Sequence, residues 1–329
     1  MPNRAMWITE ADVTDLISLP EAIDALERVL GMEARGEATN MAKSHLMVAS
    51  NDAMHAIGAA VVDAGLCGTK TWVNVGGKSQ TVLILFSLAD GSLRAVIEAT
   101  ALGQMRTAAM TGVGTRRLAP TSADELAVIG SGKQALPQVA ACAAVRRLRH
   151  VRVFSRRPEA REAFAASVRQ SLNLRVTTAE TLKDVVTDIP IVTLITNATE
   201  PFLSSAMVAH GSHINAMGAI VPARSEFAQD IFSRCDKIVV DSISSVRGLS
   251  AEFREHFGSD EKAWHMVCPI SEVIAQDAMR PVNSDLTLFK AMGMGISDLA
   301  LGIEVLARAE KRGGTTTLPD RVRVPPRLR

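Results

Sequence analysis

Tyrosine is missing from all 329 residues. Any mechanism that needs a phenol is excluded, including the tyrosine–lysine acid–base pair of short-chain dehydrogenases. Aromatic residues of every kind reach only 4%, too few for a surface that stacks nucleic-acid bases. Cysteine occurs four times, at Cys67, Cys142, Cys235 and Cys268, with no CxxC pair. Close-set zinc spacing is therefore lacking, no metal site is expected, and the thiols fit a reducing, cytoplasmic setting. The opening Met1-Pro-Asn-Arg-Ala-Met-Trp leads straight into an acidic stretch, without the apolar core of a signal peptide. No run approaches 18 uninterrupted apolar residues, so no membrane span is expected. Charge of one sign is not in excess: 36 Lys+Arg stand against 35 Asp+Glu. That balance removes the bulk-charge argument for nucleic acid, an acidic membrane or another polyanion.

What the chain does have is aliphatic. Hydrophobic residues make up 47%, drawn from Ala, Val, Ile, Leu and 14 Met, a composition suited to helices packed on a parallel sheet. The length predicts two domains. Early in the chain, Thr9-Glu-Ala-Asp resembles a capped helix start, and Ser18-Leu-Pro-Glu opens a second helix whose Ile23, Leu26 and Leu30 form an apolar stripe. From about residue 44 to 96 the pattern turns strand-like, with runs at Leu66–Asn74, Thr81–Leu88 and Ser92–Glu98 separated by Gly-Gly and Ala-Asp-Gly turns. Asp90-Gly91 between two apolar runs signals a hairpin. Residues 100–118 read as a helix of small side chains.

A different rhythm begins near Ala123. Leu126-Ala-Val-Ile is a buried-strand run followed by a glycine turn and an Ala-rich helix. Val151–Ser155, a helix from about Pro158 to Gln170, Leu174–Thr177, Ile189–Thr196, His213–Gly218 and Lys237–Ser242 follow. Strands alternating with helices in this way predict βαβ units in a doubly wound parallel sheet. Ser297 to Ala309 predicts an amphipathic helix.

The glycine turn reads Gly130-Ser131-Gly132-Lys133-Gln134-Ala135 between strand and helix, the context that gives a GxGxxA pattern meaning. Gly130 permits the tight turn, Gly132 lets backbone approach a pyrophosphate, and Ala135 lets helix and strand pack closely. The helix N-terminus adds unpaired N–H groups and partial positive charge. At the end of the next strand, about 20 residues on, a free ribose 2′-OH would prefer an acid and a 2′-phosphate an arginine. Ser155-Arg156-Arg157 offers no acid there. NADP is favoured, with NAD left open.

With these motifs in hand, the chain resembles the ornithine cyclodeaminase/mu-crystallin family. The resemblance rests on Met105-Arg-Thr-Ala-Ala, the Gly130–Ala135 turn, Ile214-Asn-Ala-Met-Gly-Ala with Pro222 and Glu226 downstream, and Asp285-Leu-Thr-Leu-Phe-Lys-Ala-Met-Gly followed by Ser297-Asp298-Leu299. It implies an α/β fold in which a Rossmann dinucleotide-binding domain, residues 118–294, is inserted into a discontinuous α+β domain, residues 1–117 and 295–329. That second domain would hold the substrate and form a homodimer. It further implies hydride chemistry at an amino- or imino-acid carbon. Lys70 matches the family's substrate lysine and Arg106 its Arg-Thr-Ala-Ala arginine; both would hold the α-carboxylate, and Lys70 could polarise the C=N bond or donate a proton. Thr107, Thr196, Asn197, Met217 and Gly218 join the expected cofactor contacts.

The sequence departs from the family twice. A family arginine after the first helices is replaced by Met41-Ala-Lys-Ser-His, so Lys43 or His45 would take its part, although a lysine cannot form a bidentate clamp. The cyclodeaminase aspartate after the Met-Gly-Gly/Ala step is Ile220 here. Ile220 can neither accept a proton nor bind an ammonium, so reduction of an imine ranks above cyclodeamination of ornithine or lysine. With Lys43, His45, Lys70, Arg106 and Arg224, the expected pocket carries more positive charge than one carboxylate needs. A dicarboxylic imine, iminosuccinate, leads the expected substrates. A cyclic or alkyl ketimine or an alanine-type dehydrogenation follows closely, and a non-catalytic ligand-binding protein is the third alternative.

Overall fold

The first two helices start from short side chains that bond back to the backbone. In the computed structural model, which describes residues 4–48, 52–320, 322 and 324–328, Asp12 N donates to Thr9 Oγ1 at 3.2 Å while Thr9 N donates to Asp12 Oδ2 at 3.1 Å. This capping box opens α1 (Glu10–Leu16). Glu21 accepts from both the backbone N–H and the hydroxyl of Ser18, opening α2 (Leu19–Ala34). The stripe of Ile23, Leu26 and Leu30 is buried.

Seven strands form a mixed sheet: β1 (Met6–Ile8), β2 (Ala38–Asn40), β3 (Ser44–Met47), β4 (Ala53–Val61), β5 (Leu66–Val75), β6 (Lys78–Ser87) and β7 (Leu93–Glu98). Their order is β1-β7-β6-β5-β4-β2, with β3 also paired to β4. All neighbours are antiparallel except β1 with β7. Gly76 and Gly77, at φ +56 and +76, make the turn between β5 and β6, a left-handed backbone that suits a tight hairpin. The expected Asp90-Gly91 hairpin joins β6 to β7, and β6 begins at Lys78, three residues before the apolar run.

Helix α3 (Thr100–Leu118) carries the chain onward. Eight strands then form a wholly parallel sheet: β8 (Glu125–Ile129), β9 (His150–Phe154), β10 (Arg175–Thr178), β11 (Ile191–Leu194), β12 (Ser212–Ala216), β13 (Cys235–Val240), β14 (Val267–Pro269) and β15 (Leu286–Lys290). Their order is β10-β9-β8-β11-β12-β15-β13-β14. The chain runs outward from β8 through β9 to β10, then returns to β11 on the other side. That reversal is the topological switch point where doubly wound sheets bind ligands at strand carboxyl ends. Connecting helices include α4 (Ala135–Val145), α5 (Pro158–Leu172) and α6 (Leu182–Val186), then α7 (Ile243–Leu249), α8 (Ala251–Phe257), α9 (Glu261–Trp264) and α10 (Ile270–Ala275). The α/β class with a Rossmann-like parallel sheet and a separate mixed sheet is thus as expected.

The last helix, α11 (Gly295–Arg312), returns to the mixed sheet. A Cβ at Gly295 would lie 2.0 Å from the Gly58 carbonyl oxygen, and one at Gly302 would lie 2.5 Å from Leu83 Cδ2. Only glycine allows approach that close. Among the described residues, no helix is long and apolar enough to cross a membrane.

Candidate active site

The glycine turn after β8 has the geometry its sequence suggests. Gly130 sits at φ +120, and a Cβ there would come 2.3 Å from the Ile195 carbonyl oxygen. Ala135, fully buried, is the first residue of α4. A Cβ at Gly132 would meet nothing within 4 Å, and Gly132, Lys133 and Gln134 line a cavity of about 420 Å³. Open backbone leading into a helix fits the pyrophosphate of a dinucleotide. Ser131 Oγ donates to Ser155 Oγ at 2.9 Å, bringing the end of β9 to the turn. Arg156 follows, exposed.

The far wall of the cavity is organised by a buried carboxylate. Glu226 Oε1 accepts from Thr196 N at 2.7 Å and Thr196 Oγ1 at 2.8 Å; Oε2 accepts from Gly218 N at 2.8 Å and Ala219 N at 3.1 Å. One side chain therefore ties the loop after β11 to the loop after β12. Behind it, Glu226 N donates to Glu252 Oε1 at 3.0 Å, Ser250 Oγ donates to Glu252 Oε2 at 2.7 Å, and Lys290 Nζ lies 3.7 Å from Glu252 Oε1. Thr196, Asn197, Met217 and Gly218 line the cavity from these loops.

The charged end is built by three distant elements converging on one carboxylate. Lys70 projects from the middle of β5 and is 4% exposed; its Nζ lies 2.6 Å from Asp298 Oδ1, in the first turn of α11. Arg106 Nε, from α3, lies 3.2 Å from the same oxygen in an ion pair without hydrogen-bond alignment. Burial and then the charge of Arg106 push the Lys70 ammonium down to about 8, against the pull of Asp298. Lys70 also lies 5.0 Å from the Trp72 ring centroid, within cation–π range. Gly293, at φ +89, leaves room for the guanidinium: a Cβ there would be 3.1 Å from Arg106 Nη1.

Lys43 is half-buried between β2 and β3; burial and then Arg106 lower its pKa, while Asp241 opposes them. Arg224 lines the cavity and donates Nη1 to Asn197 Oδ1 at 2.8 Å. His45 is exposed on β3. Its ring stacks 6.2 Å from His55, which stacks 4.8 Å from Trp72, so an aromatic row leads from the surface toward Lys70. Ile220 lines the cavity, and no carboxylate stands at its position.

Of the residues singled out from sequence, Arg106, Thr107, Gly132, Lys133, Gln134, Thr196, Asn197, Met217, Gly218 and Arg224 line one cavity. Lys70 joins that wall through Asp298 and Arg106, Gly130 and Ala135 shape the turn, and His45 lies outside. Thr107 Oγ1 donates to Gly103 O at 2.9 Å. Three acids carried no role in the sequence analysis: Asp298, Glu226 and Asp241. Asp298 and Glu226 stand in the quoted motifs, and Asp241 ends a strand run at its carboxyl end, a position that itself signals a ligand site.

The family model for the ornithine cyclodeaminase/mu-crystallin family matches residues 3–313. A Delta(1)-pyrroline-2-carboxylate reductase of Bacillus cereus is 26% identical over 237 residues, 70% of this chain and 72% of that protein. An iminosuccinate reductase of Paracoccus denitrificans is 25% identical over 314 residues, 93% and 97% of the two chains. Among solved structures, an archaeal alanine dehydrogenase dimer with bound NAD superposes with a TM-score of 0.87 at 25% identity, covering 96% of this chain and 99% of that one.

Proposed function

This chain belongs to the ornithine cyclodeaminase/mu-crystallin family, and from that premise we propose that it is an NAD(P)H-dependent reductase of a small imino acid, with iminosuccinate, giving aspartate, as the favoured substrate. The observation that carries the proposal is the buried Lys70–Asp298–Arg106 cluster beside a cavity at the switch point of the parallel sheet. Reduction of C=N to CH–NH takes up one hydride and one proton. NAD(P)H, when bound, supplies the hydride. Arg106 and Lys43 hold a carboxylate of the substrate, and the Lys70 ammonium donates to the imine nitrogen. A lysine whose pKa is lowered to about 8 gives up its proton more readily than an ordinary one and is still charged at neutral pH.

Charge supports the dicarboxylic substrate. Arg106, Lys133 and Arg224 line the cavity with Asp241, and Lys43, Lys70 and Asp298 stand beside it, an excess of positive charge that suits a substrate with more than one carboxylate. Ser155 and Arg156, with no acid at the end of β9, support NADP over NAD. The exposed apolar side chains of β3, Leu46 and Met47, with Met54 and Val73 beside them, support a homodimer. Four unpaired cysteines support a cytoplasmic location.

A spectrophotometric screen tests the reading. Net NADPH consumption with iminosuccinate, exceeding that with pyruvate plus ammonia or a pyrroline carboxylate, is expected. Ammonia and proline formed from ornithine without net cofactor change would overturn it in favour of cyclodeamination. Saturable ligand binding without turnover would leave only a binding protein.

A further inference from the structure

Asp241 lies 1% exposed at the carboxyl end of β13 and lines the cavity. It is the only carboxylate among the described residues of that wall. Its Oδ2 accepts the N–H groups of Met292 at 2.9 Å and Gly293 at 2.7 Å, which fixes the group to the loop after β15. Its Oδ1 has no hydrogen-bond partner among the described residues. A buried carboxylate oxygen without a donor is costly. One that persists in the wall of a ligand cavity points to a donor that the ligand brings.

The neighbours narrow the donor's chemistry. Arg106 from α3 and Lys43 from the segment before β3 act on Asp241 through their charge, but neither closes on Oδ1. Glu33, at the end of α2, is near enough to feel the charge of Asp241; burial, opposed by a Ser271 hydrogen bond and reinforced by Asp241, pushes that carboxyl up to about 7. Burial raises the Asp241 carboxyl as well, opposed by the N–H groups of Met292 and Gly293, the charge of Arg106 and the N–H of Ser242, all of which favour its ionised form. Every other charged side chain in the wall is a cation and repels a positive nitrogen.

We propose that Asp241 is the carboxylate that receives the substrate nitrogen, the iminium of the imino acid and the ammonium of the amino-acid product, in the role that Ile220 cannot fill. This rests on the imino-acid reading above. Asp241 forms and breaks no covalent bond. The Lys70 proton makes the iminium, whose charge Asp241 offsets. The hydride goes to carbon and the C=N electron pair to nitrogen, giving a neutral amine, and a second proton, from water, makes the ammonium that Asp241 then holds.

Asp241→Asn is the direct test, because an amide oxygen can still accept from Met292 and Gly293 while the charge is gone. The NADP-loaded protein is titrated with two matched pairs, L-aspartate against succinate and L-proline against cyclopentanecarboxylate. The wild type is expected to prefer the nitrogen-bearing member of at least one pair. In Asp241→Asn that member should weaken by about 100-fold, the nitrogen-free partner should stay within about twofold, and Asp241→Glu should recover part of the loss. As pH falls, the preference should shrink in the wild type as the carboxylate, raised by burial, gains a proton, and stay flat in Asp241→Asn. Equal weakening of both members, no weakening, or no preference in the wild type would each overturn the assignment. Absent imine turnover with the nitrogen-dependent difference intact would sink the reductase reading alone.

Discussion

At Lys70 a single atom decides the charge state of the site. Its Nζ lies 2.6 Å from Asp298 Oδ1, with both side chains almost wholly buried, so removing either partner would strand the other charge. The ammonium is nonetheless held down to about 8, because burial and Arg106 outweigh Asp298. Below that pH the lysine carries a proton it can give; above it, the lysine is neutral. The kcat/KM for imine reduction should accordingly fall as pH rises through about 8. Lys70→Arg, whose charge does not titrate in that range, should be slow and should lack the alkaline limb. Beside the glycine turn, Ser155 is bonded to Ser131. Ser155→Asp would set an acceptor for a ribose 2′-OH there and repel a 2′-phosphate. The ratio of kcat/KM for NADPH to that for NADH should drop by about tenfold or more, one charge contact being worth a factor of ten for each ~1.4 kcal/mol. An unchanged ratio would count against the 2′-phosphate assignment.

Among the elements, α3 is the one whose composition is set by its neighbours. Its glycines are not helix formers, and Ala in place of Gly ordinarily favours a helix by about 1 kcal/mol. At Gly114 a Cβ would strike the Phe289 ring at 2.4 Å, and overpacking of that kind costs about 1–3 kcal/mol. The clash should win: Gly114→Ala is expected to lower the thermal midpoint, whereas Gly132→Ala, with open space around it, should leave the midpoint of the free protein unchanged. Elements with local signals are legible in the sequence. Thr9 and Ser18 announce α1 and α2, Asp90-Gly91 announces its hairpin, and the βαβ rhythm announces the parallel sheet. Strand β15 is not: it inserts between β12 and β13 although more than 40 residues separate it from either in the chain. The site follows the same division. Gly130, Gly132 and Ala135 are readable because three backbone requirements fall within six residues. The Lys70–Asp298 pair joins positions 228 residues apart, and no periodicity links them. Family resemblance supplied Lys70 and Arg106 but not the acids that set their charge.

At the scale of the whole molecule, strand β3 carries an apolar run that the described residues leave exposed. Leu46 and Met47 on β3 are 63% and 56% exposed, and Val48 beyond them is 65% exposed, an apolar run that a second copy would bury. Leu46→Lys is expected to convert a dimer to a monomer in sedimentation velocity at micromolar concentration. A wild type already monomeric there would remove the homodimer from the proposal. The second global feature is the return of α11 to the mixed sheet. Residues Gly130 to Ala135 and both walls of the parallel sheet are complete once β15 has been made, but Asp298 is not yet present. During synthesis, domains assemble from the N-terminal side as the chain emerges. A nascent chain would thus acquire the surface that fits a dinucleotide before it owns the counter-ion that holds Lys70 and Arg106. Until residue 298 has left the ribosome and α11 has docked, Lys70 and Arg106 lack the carboxylate they share in the finished molecule.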